Sequence, residues 1–226
     1  MTMRPGRPGR PEVRRTVKPE PKPPLTFATI PRRWPGGTVA CLATGASLTA
    51  QDVEYVRDKV DGVIAINDAI DLAPWADILY ACDGKWWGWR QGVPSYHGTK
   101  YAMKEDARRW STHGVQMIRR GNHQGLDTRP DGVAHGYNSG YQAIGVAFHS
   151  GAKRIILLGY DMKGVHFFGH HPDRTKAPYA RCIPIFKTLV KPLAERGVDV
   201  INCTRRTALT CFPQMPLDEA LRKVAA

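Results

Sequence analysis

The sequence predicts an α/β fold, an open and mainly parallel sheet with helices on both faces. Three observations carry this. Short apolar runs recur between residues 38 and 201, of the length of buried strands. Segments with helical spacing separate several of them. Nearly every apolar run also ends in small or polar residues, as strands do when they feed loops above a parallel sheet.

The first run, Thr38 to Ala43, ends in Thr44-Gly45-Ala46-Ser47. Residues 49–60 then read as a helix, with Val53, Val56 and Val60 facing inward and Asp52, Glu54, Arg57 and Asp58 outward. Thr49 suits the N-cap, and Asp52 sits where a carboxylate favours the helix start. Val63 to Ile66 is a second strand, ending at Asn67-Asp68. Ile78 to Ala81 is a third, ending at Cys82-Asp83. Strand, helix, strand, short connection, strand is the order of a parallel sheet with right-handed crossovers.

Residues 84–135 are less regular. Lys85-Trp86-Trp87-Gly88-Trp89 opens a helix or caps a pocket, Lys104 to Trp110 reads as helix, and Val115 to Ile118 as a short strand. Residues 121–136, rich in Gly, His, Asn and Asp, read as a loop long enough to be functional. Ser139 to His149 is a helix with Ala143, Ile144, Ala147 and Phe148 inward, and Gly151 suits its C′ position. Arg154 to Gly159 is a buried strand ending at Tyr160-Asp161-Met162. Ile183 to Arg196 is a helix with Pro184 in its first turn and Gly197 beyond its end. Val198 to Ile201 is the last strand, followed by Asn202.

The domain division is uneven. Residues 1–36, opening RPGRPGRP and KPEPKPP, carry nine Arg and Lys against Glu12 and Glu20 and almost no apolar side chains. Such a segment buries too little surface to offset its chain entropy, so it is expected to be a disordered basic arm, either a solubilising tail or a nucleic-acid contact. Residues 37–226 are expected to form one domain with one well-buried core. The net charge of +13 favours anionic partners, nucleic acid or phosphorylated small molecules. No apolar run approaches the roughly 18 residues of a membrane span, and the N-terminus has no secretory h-region, so a cytoplasmic protein without a membrane partner is expected. The five cysteines, Cys41, Cys82, Cys182, Cys203 and Cys211, lack C-x-x-C spacing and read as buried reduced thiols.

Ligands of open parallel sheets bind beyond the carboxyl ends of the strands, and those ends supply the candidate site. Gly45 lets backbone approach a phosphate, and Ser47 adds a hydroxyl at a positive helix end. Asn67, Asp68, Asp83 and Asp161 close the other strands. Asn138-Ser139-Gly140 opens a second helix and is either a plain N-cap or a second helix end aimed at the ligand. The segment 161–174 gathers Asp161, His166, His170, His171 and Asp173. Its histidines suit general acid–base work or a structural polar loop, and no standard metal-ligand spacing appears, so no metal site is assigned. Trp86, Trp87 and Trp89 either pack the core or stack a base or sugar.

In order along the chain, Leu42-Ala-Thr-Gly-Ala-Ser-Leu48, Ile64-Ala-Ile-Asn-Asp68, Asn138-Ser-Gly140, Ile156-Leu-Leu-Gly-Tyr-Asp161 and His166-Phe-Phe-Gly-His170 resemble a Rossmann-like superfamily. It contains the family 42 bacterial sialyltransferases and the archaeal 6-hydroxymethylpterin diphosphokinases. Ile201 to Thr204 with Ala208-Leu209 looks most like uncharacterised tailed-phage members. The likeness spans roughly residues 38–215. It implies that Gly45, Ala46, Ser47, Asn67, Ser139 and Gly140 hold a nucleotide and that His166 or His170 is a general base. Ala43 and Ala46 stand where the sialyltransferases carry Gly and Pro, and their acceptor-side residues have no match here.

The expectation is therefore a transferase with a nucleotide-activated donor, a phage-encoded glycosyltransferase of sialyltransferase-like fold, with no tightly bound cofactor. Its site set is His166, His170 and Asp161 as catalytic groups, with Gly45, Ala46, Ser47, Asn67, Asp68, Asp83, Asn138, Ser139 and Gly140 around the nucleotide. The alternatives are an ATP- and Mg²⁺-dependent diphosphokinase holding its cation on Asp68, Asp83 and Asp161, and a non-enzymatic phage assembly or DNA-associated protein. A homo-oligomer is left open.

Overall fold

A computed structural model describes residues 26–170 and 179–222. Seven strands form one parallel sheet: β1 (Thr38–Leu42), β2 (Gly62–Ile66), β3 (Ile78–Tyr80), β4 (Thr99–Ala102), β5 (Val115–Met117), β8 (Arg154–Leu158) and β9 (Asp199–Asn202). Their order is β5-β4-β3-β2-β1-β8-β9. A separate two-stranded pair joins β6 (Arg119–Arg120) to β7 (Gly132–Val133). The chain steps outward from β1 to β5, then returns to the other side of β1 at β8. The β1–β8 gap is thus the topological switch point, where open α/β sheets receive ligands.

The strands are apolar on both sides because both faces are covered. Along β1, Val39 and Cys41 face the cluster formed with α3 (Ser139–His149) and α4 (Tyr179–Ala194). Ala40 and Leu42 face the opposite cluster, formed with α1 (Ala50–Val56), α2 (Gly84–Trp89) and α5 (Leu217–Arg222). Register is in step across the centre: Val39 pairs with Gly62 and Ile155, and Leu42 with Ala65 and Leu158. The loops after β1, β2 and β8 therefore emerge at one level.

Local chemistry explains the helix ends. Thr49 and Asp52 form a capping box at α1, with Thr49 Oγ1 accepting from the Asp52 amide and Asp52 accepting from the Thr49 amide. Asn138 caps α3 by accepting from the amides of Gly140 and Tyr141 at 2.8 and 3.2 Å. Four of the five cysteines are buried and Cys211 is half-buried. Burial pushes the Cys41, Cys82 and Cys203 thiols up to about 12, which suppresses the reactive thiolate. Among the described residues no helix is long and apolar enough to cross a membrane.

The structure differs from expectation at five points. The arm was expected to reach residue 36, but residues 26–36 lie against the domain. Ile30 is 2% exposed, the Ala28 amide donates to the Met117 carbonyl, and the Trp34 ring fills the space over Gly62. Residues 1–25 are outside the described residues. Strand β4 was not anticipated, because Lys100 interrupts its pattern. That lysine is 5% exposed, and its Nζ donates to the carbonyls of Gly92, Val93 and His113. Three carbonyl acceptors satisfy three ammonium protons, so a buried strand position tolerates it, with its pKa lowered by burial. The helix at 104–110 is a 3-10 helix over Glu105–His113, and the first helix ends at Val56 rather than at residue 60. Finally, α4 begins by Tyr179, so Pro184 lies inside it; the carbonyl that loses its partner belongs to exposed Ala180.

Candidate functional site

A cavity of about 440 Å³ opens above the carboxyl ends of β1, β2, β3 and β8. Its floor comes from Thr44 and Gly45 after β1, Asn67 after β2, Cys82 and Asp83 after β3, and Tyr160 and Met162 after β8. Trp86 and Trp89 of α2 form one wall, with Lys104 and Asp106 beside them. The opposite wall is Tyr137 to Gly140, at the start of α3, with His166 and Tyr179. Asn67, Tyr137 and Met162 adopt left-handed backbone with φ of 51°, 56° and 52°. Strained residues persist only where surrounding structure over-determines them, and they cluster at ligand sites.

The seam between the loops after β1 and β8 is tightly knit. The Ser47 amide and hydroxyl both donate to Asp161, at 3.0 and 2.6 Å. A Cβ on Gly45 would lie 2.2 Å from Asp161 Oδ1 and 2.4 Å from the Gly159 carbonyl oxygen. The glycine is thus required by the neighbouring loop itself. Ser47 and Asp161 meet as a staple behind the cavity, and neither lines it. Ala46 is exposed outside it.

The remaining carboxylates are also engaged. Asp68 accepts from Trp86 Nε1 at 3.0 Å and faces Arg90 at 3.5 Å, so it fixes a wall tryptophan rather than lining the cavity. Asp83 caps α2 and pairs with Lys104 at 3.4 Å. Among the described residues no three His, Cys, Asp or Glu side chains gather as a metal site. Asp68, Asp83 and Asp161, the trio expected for a Mg²⁺-dependent diphosphokinase, do not fit a shared cation. The three tryptophans divide: Trp87 is core, donating to the Ala81 carbonyl, Trp86 is buried with one face on the cavity, and Trp89 is 40% exposed at its rim.

The α3 wall is electropositive. The helix N-terminus ends there, with Ser139 and Gly140 on the cavity surface. Gly140 must be glycine, since a Cβ would meet the Tyr160 ring at 2.7 Å, and Tyr160 Oη donates to the Gly140 carbonyl. Behind it the Arg181 guanidinium lies 3.8 Å from the centre of the Tyr137 ring, and Tyr137 Oη bonds His123 Nδ1 at 3.1 Å. Burial, then the charges of Arg120, Lys104, His123 and Arg181, push His135 down to about 4.

His166 is the histidine the fold delivers. The segment 163–170 folds back on the loop after β1: the Phe167 amide donates to the Thr44 carbonyl, and His166 bridges Gly45. His166 Nδ1 lies 2.8 Å from Thr44 Oγ1, and the imidazole stacks on Phe168 with centroids 5.0 Å apart. His170 is exposed and off the cavity surface, while His171 and Asp173 lie outside the described residues.

The sequence matches no protein-family model and no curated protein. The fold does match a solved structure. It is similar to the MAf glycosyltransferase from Magnetospirillum magneticum AMB-1, with a TM-score of 0.57 and 10% identity over 89% of this chain. The chain corresponds to 38% of that protein's length. This likeness is one of α/β fold.

Of the residues expected at the site, Gly45, Asn67, Asp83, Asn138, Ser139, Gly140 and His166 line one cavity. Ser47, Asp68 and Asp161 support it from behind. Thr44, Tyr137, Lys104 and Met162 were not singled out. Tyr137 and Met162 gave no signal beyond adjacency to Asn138 and Asp161, and Thr44 lay in plain view within the first turn.

Proposed function

We propose that this domain is a transferase that binds a nucleotide-activated donor, a nucleotide sugar, in the cavity at the β1–β8 switch point. One observation carries the reading: the strand-end residues Gly45 and Asn67, the α3 N-terminus and His166 share a single cavity of about 440 Å³. The α3 N-terminus at Ser139, through its amide and hydroxyl, would meet the phosphate, where the helix end favours negative charge that grows as the donor bond breaks; the Gly140 amide is taken by the Asn138 cap. Trp89 offers an aromatic face at the rim. In the transfer step an acceptor hydroxyl oxygen bonds to the sugar carbon, the carbon–oxygen bond to phosphate breaks, and the electron pair leaves with the nucleotide. His166 takes the hydroxyl proton. The MAf glycosyltransferase likeness agrees with this chemistry at the level of fold. The diphosphokinase reading lacks a grouped set of carboxylates, and the nucleic-acid reading falls on the arm outside the described residues.

A thermal-shift panel of nucleoside mono-, di- and triphosphates and nucleotide sugars tests the reading. A ligand at about 100 times its Kd adds roughly 2.7 kcal/mol of stability. His166→Gln should keep that shift while turnover falls about 10²- to 10⁴-fold. A panel in which no nucleotide raises Tm would overturn the proposal.

A further inference from the structure

We infer that Thr44 is the positioning residue of His166, its hydroxyl accepting from Nδ1–H so that the imidazole is held as the Nδ1–H tautomer and proton exchange with substrate runs through Nε2. This rests on the reading of His166 as the proton acceptor.

The geometry separates two jobs that a contact between loops can do. Docking of segment 163–170 is already performed by backbone, through the Phe167 amide to the Thr44 carbonyl at 3.0 Å and the antiparallel bridge between His166 and Gly45. The side-chain bond from Thr44 Oγ1 to His166 Nδ1 at 2.8 Å is additional. Thr44 is 7% exposed, and the bond is partly buried at the cavity floor. A hydroxyl can donate or accept. Only one polarity survives a catalytic cycle unchanged. If Nδ1–H donates to Oγ1, the same bond persists when Nε2 takes a proton and the ring becomes imidazolium. If Thr44 donated to Nδ1, Nε2 would already carry its proton and could not accept another without the hydroxyl reversing. Fixing the tautomer through the second ring nitrogen is the general means by which proteins set which nitrogen of a histidine acts.

The test is ¹⁵N NMR of histidine-labelled full-length protein at a pH well above the histidine range, with His166 assigned by its absence in His166→Gln. Wild type should show the Nδ1–H tautomer, which free histidine side chains disfavour in water. Thr44→Val, close in shape but without the hydroxyl, should lower the Nδ1–H to Nε2–H ratio about tenfold, the scale of one hydrogen bond. Thr44→Ser should restore it. Amide exchange at Phe167 should stay protected in Thr44→Val, showing the loop still docked. An Nε2–H tautomer in wild type, an unchanged ratio in Thr44→Val, or loss of Phe167 protection would each overturn the inference. Failure of the nucleotide panel is a separate result: it removes the enzymatic reading and leaves the tautomer measurement standing.

Discussion

The two sides of the cavity differ in how much of their architecture is exposed to solvent. On the β1–β8 side, Gly45, Ser47, Gly159 and Asp161 interlock through buried hydrogen bonds and contacts with no space for a Cβ. On the α2 side the helix start is also close-packed, a Cβ on Gly84 meeting the Asp106 carbonyl at 2.4 Å, but the wall is otherwise tied by ion pairs at the surface. Lys104 meets Asp83 with side chains 47% and 37% exposed, and Arg90 bonds Asp71. Packed, hydrogen-bonded groups cannot drift, whereas exposed pairs contribute little and rearrange readily. Under the proposed function the difference would divide the labour, the locked side setting the distance from His166 to the α3 helix end and the looser side accommodating what varies between ligands.

Substitutions on each side sharpen the contrast. Gly45→Ala forces a methyl group onto Asp161 and the Gly159 carbonyl, so it should cost about 3 kcal/mol or prevent folding, measured by urea denaturation. Asp161→Ala strips two donors from Ser47 of a charged partner and should cost about 2 kcal/mol in the same assay. Lys104→Ala on the loose side should change stability by less than about 0.5 kcal/mol while altering nucleotide affinity, read by calorimetry. A large loss of stability there, or none at Gly45, would erase the distinction.

Acid adds a smaller effect from the α3 side. His135 and His149 both have pKa values lowered by burial, His135 to about 4. The unfolded chain protonates near the usual 6.5 while the folded chain resists, so the stability they contribute is present above 6.5 and is lost as pH falls toward 4. His135→Asn should flatten the pH dependence of stability between 6.5 and 4. An unchanged slope would mean that neither burial nor the surrounding cations hold His135 neutral.

The sequence made legible what depends on neighbours in the chain. Apolar runs located β1, β2, β3, β8 and β9, and Asn138 with the period of Ser139–His149 bounded α3 to the residue. Polar strand ends pointed to Gly45 and Asn67, and the predicted helix start to Ser139 and Gly140. Hidden features depend on tertiary partners that no local pattern names. Lys100 hides β4 because its three acceptors belong to loops and a helix end elsewhere. Thr44 gains meaning only from His166, 122 residues away, and Ser47 is claimed by Asp161 rather than by a ligand across 114 residues. Ile30 looked like part of a solvated arm until the sheet edge gave it a place to pack.

The most direct test is calorimetric titration of cytidine monophosphate, and of the other nucleotides in the panel, into wild type and Ser139→Trp. An indole at residue 139 fills the cavity at the α3 helix end, and circular dichroism checks that the variant folds. The account predicts saturable one-site binding of a nucleotide to wild type and its loss in the folded variant. Equal binding to both proteins, or none to wild type, would contradict it.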